Sequence, residues 1–138
     1  MAITFDTETI RLITLFENIT GVMVKDCFIN EGVVYFLVDE GKVGMAIGRN
    51  GSIIKNVEKI IGKKVKVFEY KKNPVEFIKK IIPNTISVEL VTKDGKQTIN
   101  VKVPKKVKPL VIGRNGRNIK IFRTILKRNY KIEDIKVR

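Results

Sequence analysis

Two arginine–asparagine pairs stand between glycines in this chain, as Gly48-Arg49-Asn50-Gly51 and Gly113-Arg114-Asn115-Gly116. A guanidinium presents a planar fork of donors that matches two phosphate oxygens, and asparagine tolerates the left-handed backbone of a tight turn. Glycine at both ends removes the Cβ atoms that would hold a ligand backbone away. Each turn leads straight into an apolar-periodic stretch, so the first amides of a helix would face the same space with partial positive charge. The chemistry these residues suit is retention of phosphate groups. Nothing in the set reads a base, so any sequence preference must come from an adjoining groove.

The two turns belong to a longer repeat. Ile47 to Lys55 and Ile112 to Lys120 both read I-G-R-N-G-x-x-I-K, 65 residues apart, and 8 of the 16 positions in 46–61 are identical to their partners in 111–126. Outside the turn only the pattern is shared, as expected if the turn carries the function and the remainder the scaffold. An offset of this size divides the 138 residues into two small domains, 1–72 and 73–138, with Lys71-Lys72-Asn73 at the junction.

The elements that must position the turns follow from periodicity and punctuation. Residues 6–19 predict a helix with Asp6 or Thr7 as N-cap, Ile10, Ile13 and Phe16 on one face, and Gly21 just past its end. Two β-branched and aromatic runs, 22–29 and 33–38, flank Asn30-Glu31-Gly32 and predict a hairpin. A short helix over 42–47 precedes the first turn. A second runs from Gly51 to Ile61, with Ile53, Ile54, Val57, Ile60 and Ile61 as an apolar stripe. Gly62 ends it, and Val65 and Val67 alternate with lysines in a half-buried strand over 64–70. The second unit repeats this order: a helix over 74–82, strands over 86–92 and 97–103 about Asp94-Gly95, helices over 104–112 and 116–129, and a strand over 132–137.

Charge is unevenly placed. The chain has 28 Lys+Arg against 14 Asp+Glu, a net charge of +14, and all of the excess lies after residue 70. Residues 104–131 hold ten basic residues and no acid, and Arg117, Lys120, Arg123 and Lys127 recur there at roughly helical spacing. A surface that is merely solvated normally mixes both signs, so a polyanionic partner is expected. The acids Asp6, Glu8, Glu17, Asp26, Glu31, Asp39 and Glu40 cluster away from the turns. They read as solvated positions, or less readily as a docking face for a protein partner.

Catalysis and metal chemistry find little here. No histidine exists, Cys27 is the lone cysteine, and the basic segment 42–66 contains the single acid Glu58. General acid–base work and zinc binding both want converging groups that this composition lacks, so no enzyme, metal or cofactor is expected. The lone cysteine and the lack of a leader or a long apolar run fit a cytoplasmic protein without a membrane segment.

With these residues in view, the chain resembles the KH domain in its type II arrangement. Two such domains joined by almost no linker are similar to the KH pair of the NusA transcription factors, and at this length to the short archaeal NusA-like members. The resemblance implies an α+β fold with two tandem type II KH domains, each a three-stranded mixed sheet packed by three helices. It implies single-stranded RNA clamped by the turn, about four nucleotides per domain. It also implies a role in transcription elongation or termination, with RNA polymerase as a candidate partner. Carried onto this chain, the RNA-binding set is Ile47, Gly48, Arg49, Asn50, Gly51, Ile54, Lys55, Val65 and Val67 in the first domain. In the second it is Ile112, Gly113, Arg114, Asn115, Gly116, Arg117, Ile119, Lys120 and Ile132. The competing expectation is a KH-containing structural component of a ribosomal or other ribonucleoprotein particle.

Overall fold

In the computed structural model, which describes residues 5–138, helix α1 (Thr7–Thr20) begins where Asp6 caps it: its Oδ1 accepts from the Thr9 amide at 2.8 Å and the Thr9 hydroxyl at 2.9 Å. Gly21, at φ 73°, closes the helix by donating to the Glu17 carbonyl. The buried stripe is Thr9, Leu12, Phe16 and Thr20, whereas Ile10, expected inward, is 52% exposed. The inward face is rotated because Thr9 and Thr20 bond locally, Thr20 to the Phe16 carbonyl, and so enter the core with their hydroxyls satisfied.

Strands β1 (Val24–Asn30) and β2 (Val33–Val38) form an antiparallel hairpin in which Asn30 faces Val33. Glu31 and Gly32 fill the two-residue loop, both at positive φ, the conformation whose twist suits a tight hairpin. β2 is buried along its whole length, as a central strand must be. β3 (Lys64–Glu69) lies parallel to it, pairing Val34 with Val65 and Phe36 with Val67. A parallel neighbour demands a crossover. Here it is α2 (Val43–Ile47), a single 3₁₀ turn over Arg49–Gly51, and α3 (Ser52–Ile61). Between sheet and helices lie Leu12, Phe16, Cys27, Val34, Phe36 and Val57, with Phe16 stacked on Phe36 at 4.1 Å.

The chain divides into two compact units, Met1–Lys71 and Lys72–Arg138. The second repeats the order of the first: α4 (Pro74–Ile81), β4 (Ser87–Lys93), β5 (Lys96–Lys102), α5 (Lys108–Ile112), a 3₁₀ turn over Arg114–Gly116, α6 (Arg117–Tyr130) and β6 (Asp134–Val137). Its sheet runs β4-β5-β6, antiparallel then parallel, as β1-β2-β3 does. Asn73 caps α4 through the Val75 amide with Pro74 in the first turn, and Phe77, Ile78, Ile99, Ile121, Ile125 and Leu126 form the centre of its core.

Several boundaries differ from expectation, the first strand for one starting at Val24 rather than at 22, and two of the differences bear on the second site. Pro104–Val107 is a separate turn, with the Val107 amide on the Pro104 carbonyl at 3.0 Å, so the short helix starts only at Lys108. The long helix persists to Tyr130 and ends on Lys131 in the left-handed region, φ 57°, with the Ile132 amide on the Leu126 carbonyl at 3.2 Å. The Lys131 amide also donates to that carbonyl, so two successive amides close the helix end, and the last strand starts only at Asp134.

Candidate nucleic-acid interface

The two turns have the same backbone. Gly48 and Gly113 sit at φ/ψ 76°/176° and 79°/167°, Asn50 and Asn115 at 55°/27° and 57°/27°, Gly51 and Gly116 at 73°/16° and 72°/19°. Each is closed by the second glycine donating to the first, at 3.2 Å from Gly51 to Gly48 and 3.1 Å from Gly116 to Gly113. The first glycine is required twice over. Its dihedrals fall in a region essentially reserved for glycine, and a Cβ at Gly48 would lie 2.6 Å from Ile53 Cγ1, one at Gly113 2.9 Å from the Asn118 amide nitrogen. The second glycine answers only to φ, since a Cβ at Gly51 would meet nothing nearer than 3.7 Å and one at Gly116 nothing within 4 Å.

Arg49, Asn50, Arg114 and Asn115 are exposed, and among the described residues neither arginine has a carboxylate partner. Directly behind them α3 and α6 begin without any capping side chain; their first amides, those of Ser52 and Arg117, donate instead to the backbone carbonyls of Arg49 and Arg114. Lys55 returns toward the first turn, its Cε 3.7 Å from the point a Gly51 Cβ would occupy. Exposed positive side chains and the positive end of a helix dipole therefore meet at the turn in each unit, an arrangement suited to oxyanions.

Beside the second turn lies a cleft of about 290 Å³, walled by Ile112, Gly116, Ile119, Lys120 and Arg123 and floored by Ile135 and Val137 of β6. Of the expected residues the cleft brings together Ile112, Gly116, Ile119 and Lys120; Arg117 stands exposed on the first turn of α6. Ile132 is not among them: it precedes β6 and is only 1% exposed within the core. Ile135 takes the place foreseen for it. Strand register makes the equivalence explicit, because Ile135 pairs with Ile99 and Val137 with Val101 just as Val65 and Val67 pair with Val34 and Phe36. In the first unit, Ile54, Val65 and Val67 are half-buried to buried and pack on the core, and Ile47 is half-exposed.

Two further residues shape the second site. Arg123 donates through Nε to Asp134 Oδ1 at 2.7 Å, and the same oxygen accepts the Ile135 amide at 2.8 Å, tying α6 to β6 at the rim of the cleft. Burial pushes the Asp134 carboxyl up, but the Arg123 bond and the Ile135 amide outweigh it and hold the group below its ordinary value. Asn118 donates through Nδ2 to the Leu110 carbonyl at 3.0 Å, fixing α5 against the start of α6 where the first unit uses the apolar Ile53. The repeat itself carries the signal for this, since Ile53 and Asn118 occupy the same position in two otherwise matched segments.

Among the described residues no three His, Cys, Asp or Glu side chains group as metal ligands, and no helix is long and apolar enough to cross a membrane. A family model described as KH domain matches residues 11–93, and the probable transcription termination protein NusA of Methanocaldococcus jannaschii is 40% identical over 133 residues, 95% of this chain and 73% of that protein. The chain belongs to the KH-domain family, among its NusA-like proteins. A second NusA-like relative, the probable transcription termination protein NusA of Methanococcus vannielii, is 35% identical over 139 residues, 99% of this chain and 80% of that one. The crystal structure of APE1850 matches with a TM-score of 0.84 at 32% identity, over 97% of this chain and all of that one. The KH match spans α1 from Arg11 through β4, and thus contains the first turn and all of β1 to β3.

Proposed function

We propose that this NusA-like protein is a non-catalytic binder of single-stranded RNA, built as two tandem type II KH domains, 1–72 and 73–138, and acting in transcription elongation or termination. Gly48–Gly51 and Gly113–Gly116 hold the sugar-phosphate backbone. Arg49, Asn50 and Lys55, with Arg114, Asn115, Arg117 and Lys120, position it by charge. Bases lie over Ile47, Ile54, Val65 and Val67 in the first domain and over Ile112, Ile119 and Ile135 in the second, with Ile132 supporting that floor from the core.

The observation that carries this reading is the near-identical backbone of the two turns at both glycines and at the asparagine, each with an exposed arginine and a helix start that no side chain caps. A turn used only to join helices has no reason to repeat so closely while α3 has 10 residues and α6 has 14. The names of the relatives supply the cellular process, and RNA polymerase is the partner that process suggests.

The test is affinity for a short single-stranded RNA across salt concentrations. Replacing Arg49 and Asn50 by Asp should weaken binding, and replacing Arg114 and Asn115 by Asp should weaken it more. For every phosphate that a variant no longer neutralises, the log–log salt slope should fall by about 0.7. Unchanged affinity in both double variants would refute the proposal.

A further inference from the structure

The geometry points to a second docking site in the 72–138 unit, separate from the cleft beside the turn: a pocket for an acidic protein segment that carries a bulky apolar side chain. The pocket encloses about 250 Å³ between the end of α4, the Pro104–Val107 turn and the α5–α6 pair, and is lined chiefly by Ile81, Ile82, Val107, Leu110, Val111 and Phe122. Asn84 and Asn118 are the only polar side chains of its lining, and none of the residues that line the cleft at Ile119 and Ile135 takes part. Leu110 is 74% exposed beside it, more than any other exposed large hydrophobic side chain among the described residues. A leucine held in water next to an unfilled apolar pocket is stabilising only when something covers both.

Size and charge identify the occupant. Pockets that enclose a whole small-molecule ligand span about 300–1,000 Å³, so this one suits one or two side chains. Exposed Lys79 and Lys80 adjoin Ile81 at the end of α4, and exposed Lys105 and Lys106 adjoin Val107 in the turn. The unit's acids, Glu76, Glu89, Asp94, Glu133 and Asp134, lie elsewhere: in the first turn of α4, on the hairpin, and at β6. Exposed lysines next in sequence to the lining of an apolar pocket complement an acidic segment with a Leu or Phe anchor. A nucleotide suits it less well. Bases are held by aromatic stacking and by donors at their edges, whereas Phe122 is 8% exposed and the Asn118 amide is committed to the Leu110 carbonyl.

The experiment uses the full chain and a fluorescein-labelled peptide in which Glu and Asp surround one Phe and one Leu, with methyl NMR to locate binding. The expected result is saturable binding that shifts the Ile81, Val107 and Leu110 methyls. Leu110→Asp, and separately Lys105→Glu with Lys106→Glu, should each weaken the peptide about tenfold or more, a loss on the scale of a buried anchor. Leu110→Asp should leave affinity for single-stranded RNA unchanged, which also shows that the variant is folded and keeps this proposal separate from the RNA reading. Any of four results overturns it: no saturable binding, equal binding by the peptide with Phe and Leu changed to Ser, equal binding by Leu110→Asp, or the same methyls moved by RNA. Concentration-dependent self-association abolished by Leu110→Asp would assign the pocket to a second copy and overturn it as well.

Discussion

At the residue scale, each turn separates glycine's two uses. Gly48 and Gly113 meet both a forbidden dihedral region and a neighbour within 3 Å, whereas Gly51 and Gly116 meet only the dihedral restriction. Replacing the first glycine by Ala should therefore cost its unit about 1–3 kcal/mol, and replacing the second about 1–2 kcal/mol. Urea unfolding of the four single variants measures this directly. Gly113→Ala should be worse than Gly116→Ala, because a Cβ at Gly113 would lie 2.9 Å from the Asn118 backbone nitrogen, whereas one at Gly116 meets nothing within 4 Å. The need for glycine at both ends was legible from the motif alone. That Ile53 and Asn118 enforce it was not, because such close approaches depend on how the helix leaves the turn.

At the scale of elements, helix ends decide where the site residues stand. Lys131 ends α6 in a left-handed conformation that a side chain disfavours, so Lys131→Gly should stabilise the second unit by about 1 kcal/mol, read from its unfolding midpoint. Asp134, which starts β6, has a depressed carboxyl, so its contribution is complete above the ordinary carboxylate value near 3.9 and fades as pH falls through its lower folded value. In Asp134→Asn the second unit should consequently lose less stability between neutral pH and strong acid than the parent does, measured by unfolding across that range. Element order and type could be read from periodicity, including both hairpins and both short helices. The end of α6 could not: with Ile132 apolar and Lys131 not a glycine, a late left-handed ending leaves no mark, and Ile132 consequently stands in for Ile135 in a reading from sequence.

At the scale of the molecule, the two units share a fold order but not a charge. Residues 1–70 carry equal numbers of acidic and basic residues, whereas 71–138 carry 19 basic and 5 acidic, so the polyanion's field is met almost wholly by the second unit. The expected outcome is kinetic as well as energetic. Stopped-flow association of a labelled RNA should slow most when Arg114, Arg117 and Lys120 are neutralised to Gln, while the matching changes at Arg49 and Lys55 should act mainly on dissociation. Equal effects on association from both sets would remove the asymmetry. This bias was visible in composition; the cleft and pocket on which it acts appear only once the strands are in register.

Each turn also sets a chemical lifetime. An asparagine followed by glycine is prone to cyclise through the next amide nitrogen and open again as a carboxylate, and both turns contain that pair. The nitrogens that would attack, those of Gly51 and Gly116, are tied at 3.2 and 3.1 Å to the carbonyls of Gly48 and Gly113, so the folded turn guards itself. Warm, mildly alkaline incubation should convert Asn50 and Asn115 slowly, detectable by peptide mapping, with RNA affinity declining in step as negative charge arrives at the proposed phosphate contacts. Bound RNA should retard the conversion, making the age of a molecule a record of how long its turns have stood empty.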